Sequence, residues 1–149
     1  MNWSYIAGFF DGEGSLTHNG IGFRITVSQT NEEVLNEIRD FTGVGNVIKL
    51  RKREAHWKDA WLYYIASKKD VCTFLKKAVP HLVIKKRSAM TAIPCLEKQL
   101  VDMKNKKNLY KIRKVKAKNL RGQGLSYREI GKKLSIDWGY TRRLILDLV

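Results

Sequence analysis

The stretch that decides the reading is Ile6-Ala7-Gly8-Phe9-Phe10-Asp11-Gly12-Glu13-Gly14. Residues 3–12 are apolar nearly all round, which marks a helix buried on more than one side. Gly8 and Gly12 stand four apart and share one helix face, where two copies can pack almost backbone to backbone. One copy of such a face implies a symmetric pair. Glu13 falls at the helix C-terminus, where carbonyls lack partners and the dipole is negative. Two such carboxylates facing each other across a dimer axis repel, and hard divalent cations remove the conflict. Gly14 is expected to end the helix in the left-handed conformation.

Outward from this segment, Ser15–His18 and Ile21–Ser28 flank Asn19-Gly20, a strong signal for a two-residue hairpin turn. Phe23, Ile25 and Val27 alternate with Arg24, Thr26 and Ser28, so one face is core and the other polar. Thr30-Asn31-Glu32-Glu33 reads as a capping box led by Thr30, opening a helix to about Phe41 that Gly43 and Gly45 stop. The pattern then repeats. Val47–Arg53 and Ala60–Ser67 form a second strand pair, and Ser67 caps a helix with Val71, Phe74, Leu75 and Val79 inward, stopped by Pro80. A basic helix follows from about Val83 to about Lys104. The fold class expected is α+β, in the order αββαββα.

Beyond this core, taken as residues 1–104, the Lys/Asn-rich stretch 105–118 reads as a basic linker, with the start of another helix as the alternative, and 119–149 as a small helical tail. Ser126-Tyr127-Arg128-Glu129 is another capping box, Ser135-Ile136-Asp137 a short turn, and Asp137 the cap of a last helix from Trp138 to Leu148. Gly131 lies where two crossing helices need a small side chain, and Ile130, Leu134, Ile136, Leu144, Ile145 and Leu148 make a miniature core. This is a helix-turn-helix pattern.

The chain carries a formal charge of +15, unevenly spread. Residues 1–48 hold two basic and six acidic side chains, whereas 105–149 hold thirteen basic and three acidic. A polyanionic partner is the simple explanation, because each neutralised phosphate releases condensed counterion. No apolar run reaches the roughly 20 residues a membrane span needs, and the N-terminus lacks a basic-then-apolar signal, so an intracellular, unsecreted protein is expected. Cys72 and Cys95 are isolated and read as reduced thiols.

The segment Ile6–Gly14 resembles the nonapeptide that names the LAGLIDADG family, matching at Ala7, Gly8, Asp11, Gly14 and the acid Glu13, and the element order over about residues 3–104 is that of one family repeat. The resemblance implies an intron-encoded homing endonuclease: a homodimer joined through Ala7, Gly8, Asp11 and Gly12, cutting a long pseudo-palindromic duplex across the minor groove to leave short 3′ overhangs. It implies a divalent metal, Mg2+ or alternatively Mn2+, held by Glu13 and the Gly12 carbonyl. It assigns Gln29 to organising water and metal, and Lys85 to the scissile phosphate, with adjacent Lys86 as the rival. The final acid is Glu where the name-giving motif has Asp.

The two strand pairs then form a four-stranded antiparallel saddle whose polar face enters the major groove. Its expected DNA contacts are Ser15, Thr17, Asn19, Arg24, Thr26 and Ser28 from the first pair, with Lys49, Arg51, Arg53 and Tyr64 from the second. In the tail, Trp138, Tyr140, Arg142 and Arg143 belong to the recognition helix. Thr141 occupies a position that similar motifs fill with an aliphatic residue. Two other readings share the fold and charge: a non-catalytic transcription regulator, which would lack the metal-binding acid, and a maturase acting on intron RNA.

Overall fold

The computed structural model describes residues 1–52, 54 and 56–147. The chain divides into two compact units, Met1–Leu100 and Val101–Val149.

The first unit opens with α1 (Trp3–Glu13), whose N-terminus is closed by Asn2: its side-chain oxygen accepts from the Tyr5 N–H at 2.9 Å. Gly14 follows in extended backbone (φ −87°), contrary to the left-handed stop expected. Strands β1 (Gly14–His18) and β2 (Phe23–Gln29) pair antiparallel. Their connection is a four-residue turn, longer than the two-residue turn expected, because Asn19 folds back to accept from the N–H groups of Ile21 and Gly22 at 3.2 and 3.0 Å. Helix α2 (Glu32–Thr42) is capped by Asn31, one residue later than the Thr30 cap expected, and ends at left-handed Gly43 (φ 67°).

Strands β3 (Asn46–Lys49) and β4 (Trp61–Ile65) complete one sheet in the order β1-β2-β4-β3, antiparallel throughout. Strand alternation turns Ile25, Val27, Tyr63 and Ile65 to one side, each no more than 2% exposed. Helix α3 (Lys68–Ala78), capped by Ser67 as expected, and α1 supply Phe74 and Phe10 to the same core. Trp3 and Phe10 each meet Phe74 edge-on, with ring centroids 5.6 Å apart.

A 3-10 turn at Val79–His81 begins with Pro80 in its first turn and leads to a short loop. Helix α4 (Lys86–Gly122) starts three residues later than the Val83 expected. It also runs through 105–118, where the composition suggests a linker. That stretch has no Gly or Pro to break a helix, and its Lys, Leu, Arg and Ala residues are good helix formers.

In the second unit, α5 (Tyr127–Leu134) begins with the expected capping box: Glu129 N–H donates to Ser126 Oγ at 3.3 Å, and Ser126 N–H to the Glu129 carboxylate at 2.8 Å. The chain turns through Ser135 (φ 52°) into α6 (Trp138–Ile145), capped by Asp137. Gly131 is required at the crossing, since a Cβ there would lie 2.8 Å from the Ile136 carbonyl oxygen. Ala117, Ile130, Thr141 and Leu144 are fully buried, while Leu134, Ile136 and Ile145 are half-buried; Leu148 lies outside the described residues. Thr141 fits an aliphatic position because its hydroxyl donates to the Asp137 carbonyl at 2.9 Å. Asp147 pairs with Lys114 and Lys118.

Candidate active site and nucleic-acid interface

Helix α1 has two unlike faces. Ile6, Ala7, Phe10 and Asp11 are buried, whereas Tyr5, Gly8, Gly12 and Glu13 are exposed. Tyr5 stacks on Phe9 along that open face, with centroids 6.0 Å apart. A Cβ placed on Gly8 or Gly12 would meet nothing within 4 Å. The last helical bond runs from the Gly14 N–H to the Phe10 oxygen, so the carbonyls of Asp11, Gly12 and Glu13 have no partner within the helix.

Asp11 takes up that helix end. Its carboxylate accepts from three successive N–H groups of the loop before α4: Val83 at 2.7 Å, Ile84 at 3.1 Å and Lys85 at 2.8 Å. Its main-chain oxygen accepts from Lys85 Nζ at 2.6 Å. Burial pushes the Asp11 carboxyl up, but the three amides and the lysine charge together outweigh burial and hold it below the ordinary aspartate value. The Lys85 ammonium also lies 5.7 Å from the Phe10 ring centroid. Lys85 therefore reaches the end of α1, whereas its rival Lys86 is exposed at the first position of α4.

The sheet face turned away from the core carries Ser15 and Thr17, then Arg24, Thr26 and Ser28, then Leu62 and Tyr64, then Asn46 and Ile48, by the register Thr26↔Tyr64 and Asn46↔Tyr64. Arg24, Thr26, Ile48, Leu62 and Tyr64 line a depression of about 260 Å³ on it. The face mixes hydroxyls, an amide and one guanidinium with aliphatic side chains, a composition suited to base edges and thymine methyls.

A family model described as "LAGLIDADG-like domain" matches residues 2–78. The chain belongs to the LAGLIDADG family. No curated protein matches it. Among solved structures, the homing endonuclease I-CvuI in complex with its target in the presence of 2 mM Ca is 23% identical, covering 73% of this chain and 73% of that one at a TM-score of 0.56. An archaeal intron-encoded homing endonuclease, I-Vdi141I complexed with DNA, is 17% identical and covers 97% of this chain and 94% of that one at 0.53. The LAGLIDADG meganuclease I-AabMI bound to uncleaved DNA is 22% identical, covering 78% of this chain but only 44% of that one, at 0.51. These likenesses are of fold.

Within this LAGLIDADG fold the expected site residues separate. Ala7 (0% exposed) and Asp11 (8%), expected at the interface with Gly8 and Gly12, are buried inside the chain, and only the two glycines lie on the open face. Gln29 stands at the end of β2, with its Oε1 accepting from the Thr30 N–H at 2.8 Å. Lys49 pairs with Trp61 in the register and so belongs to the opposite side from Arg24 and Tyr64. It is held there by Asp59 at 3.0 Å and the Trp61 ring at 5.4 Å, which corrects its placement on the DNA face. Arg51 lies past β3 in an exposed loop, Arg53 is outside the described residues, and Asn19 sits in its turn with its side-chain oxygen already engaged.

In the second unit Trp138, Arg142 and Arg143 are exposed, and Tyr140 is half-buried with the Arg143 guanidinium 5.9 Å from its ring centroid. Trp138 lines a recess of about 460 Å³ with Arg128 and Lys132 of α5. Leu62 shares the face of Tyr64 by simple strand alternation, whereas Asn46 and Ile48 are placed there by the strand register.

The donor set bears on a metal. Among the described residues no three His, Cys, Asp or Glu side chains cluster. At the end of α1 the exposed carboxylate of Glu13 stands beside carbonyl oxygens with no helical partner. Hard oxygen donors of this kind are the type that divalent cations take.

Proposed function

We propose that the chain is one half of a homodimeric, divalent-metal-dependent endonuclease that cuts double-stranded DNA at a long, pseudo-palindromic site. The observation that carries this reading is the open stripe Gly8–Gly12 ending at exposed Glu13, with Lys85 drawn to the same helix end. Two copies joined on that stripe bring two Glu13 carboxylates together, completing a donor set that one chain lacks.

Glu13 and the Gly12 carbonyl of each copy would hold the ion, Mg2+ or Mn2+, which would supply water activation and neutralisation of charge developing on the phosphodiester. Lys85 offsets charge on the phosphate in the transition state. Gln29, at the end of β2, orients water. The saddle face of Ser15, Thr17, Arg24, Thr26, Ser28 and Tyr64 reads the major groove, and the strands are cut across the minor groove with short 3′ overhangs. The α5–α6 pair acts as a helix-turn-helix gripping DNA with Trp138, Tyr140, Arg142 and Arg143, served by the basic stretch 105–118 ahead of it. The expected domain division, a nuclease core over 1–104 and a DNA-binding tail over 119–149, is part of this proposal. No helix among the described residues is long and apolar enough to cross a membrane.

The test is cleavage-site selection from random duplex DNA with Mg2+. Recovery of one extended, two-fold related site with a double-strand break is the expected result. Site-specific binding without any cut would point to a regulator, and selective retention of structured intron RNA to a maturase.

A further inference from the structure

We infer that Asp11 is the positioning residue for Lys85: its carboxylate fixes the backbone of the loop that presents the lysine, while its main-chain oxygen receives the ammonium. The inference rests on the reading of Lys85 as the cation at the scissile phosphate.

The loop has little else to hold it. Leu82 is buried at one end (3% exposed), but Val83 and Ile84 are 84% and 74% exposed, so no core packing follows Leu82. The N–H groups of Val83, Ile84 and Lys85 precede the first turn of α4, whose bonds begin with the Ala89 N–H donating to the Lys85 oxygen. They would otherwise need water or go unpaired. The two oxygens of Asp11 take all three, at 2.7–3.1 Å. A buried carboxylate needs such partners to be tolerated at all, and here every one lies in the loop.

Asp11 and Glu13 share the last turn of α1. The clamp therefore ties the loop carrying the cation to the helix carrying the exposed carboxylate, fixing the spacing between two groups that must act on one phosphate. Beyond Leu82, hydrophobic contact does not set this spacing, because Val83 and Ile84 are exposed.

Asp11→Asn isolates the clamp. It keeps the main-chain oxygen that Lys85 Nζ uses, but replaces one acceptor oxygen with a donor that opposes the loop amides. In the full chain, free of metal and DNA, amide hydrogen exchange read by NMR should speed up about tenfold or more at Val83, Ile84 and Lys85. The amides of α1, α2 and α3 should stay within about threefold. A defect that merely loosened the fold would raise exchange throughout, and that outcome overturns the proposal, as does unchanged exchange at 83–85. Asp11→Ala, if folded, should show the same local pattern more strongly.

The second arm is single-turnover cleavage of the selected target with Mg2+. Asp11→Asn should be slower by roughly 10- to 100-fold, the scale of a small misplacement of a reacting group, with affinity in Ca2+ little changed. In a Lys85→Ala background the same substitution should add at most about twofold, since the residue it positions is gone. Full additivity overturns the coupling. Wild-type cleavage by Lys85→Ala would instead refute the role of Lys85, whatever the exchange result, and so separates the two failures.

Discussion

The ring of Phe10 lies over Gly14 so closely that a Cβ there would come within 2.1 Å of Cδ2. The backbone of Gly14 is ordinary extended chain, so contact alone demands the glycine. Phe10 is 1% exposed and locked edge-on against Phe74, which leaves it nowhere to move. Gly14→Ala should therefore cost about 1–3 kcal/mol, the usual penalty for overpacking a filled core. Urea unfolding would measure it; a cost within a few tenths of zero would mean that the α1–β1 junction repacks freely.

Tyr63 supplies an alkaline limit. Its hydroxyl donates to the Val44 oxygen at 2.9 Å and lies 3.1 Å from the Thr42 hydroxyl, and burial pushes its pKa from 10.0 up to about 12. The folded state thus favours the neutral phenol. Its contribution is intact below pH 10 and drains away as pH rises from 10 to 12, at about 1.4 kcal/mol per pH unit. Tyr63→Phe should remove that slope while costing about 1 kcal/mol at neutral pH for the lost hydrogen bond. The same slope in wild type and variant would assign the alkaline loss to other groups.

Gly8 separates folding from assembly. Nothing stands within 4 Å of a Cβ built there, so a larger side chain strains nothing inside the chain. Gly8→Leu should leave the monomer folded, with a helix-propensity gain of under about 1 kcal/mol. It should abolish the roughly doubled mass that sedimentation is expected to show for the wild-type chain of 17.2 kDa. An intact Gly8→Leu dimer would place the interface elsewhere.

Glu13 should matter to cleavage and not to affinity. It is exposed at the end of α1, so no packing inside the chain depends on its carboxylate. Glu13→Gln is expected to bind the target duplex within about threefold of wild type and to lose cleavage by at least about 10²-fold. Nicking at the wild-type rate in Mg2+ would remove this residue from the chemistry.

For the second unit, Arg142→Ala combined with Arg143→Ala should weaken DNA binding nearly uniformly across sequences. For every phosphate that the variant no longer neutralises, the plot of log affinity against log salt should become shallower by about 0.9. An unaltered slope would show that α6 does not touch the backbone.

How much can be read from the sequence depends on whether a signal is local. The capping boxes, the period-two run Phe23–Ser28 and the glycines around α2 are short-range, and they place α1, α2, α3, α5, α6 and the strands to within a few residues, whereas α4 runs to Gly122, well past the Lys104 expected. Lys49 falls on the other face from the one expected because its parity is counted from a pairing with Trp61, set by a loop whose length does not specify register. Asp11 is visible in the sequence only by its place in the motif, since its partners at 83–85 lie more than seventy residues away and are backbone groups that no side chain advertises. The basic stretch 105–118 has the charge of a linker, whereas helix propensity, the weaker-looking cue, sets its conformation.

The strand order β1-β2-β4-β3 has a kinetic consequence. Each flanking pair, β1 with β2 and β3 with β4, closes between neighbours in the chain, but the central seam joins Val27 to Tyr63 across 36 positions. The entropy of closing that long loop is spent before the seam returns any contact. The outward face of Arg24, Thr26, Leu62 and Tyr64 straddles this seam, so it exists only once that non-local contact has been made. Until the seam closes the chain has no groove, and its capacity to engage a ligand on that face appears together with the joining of the two strand pairs.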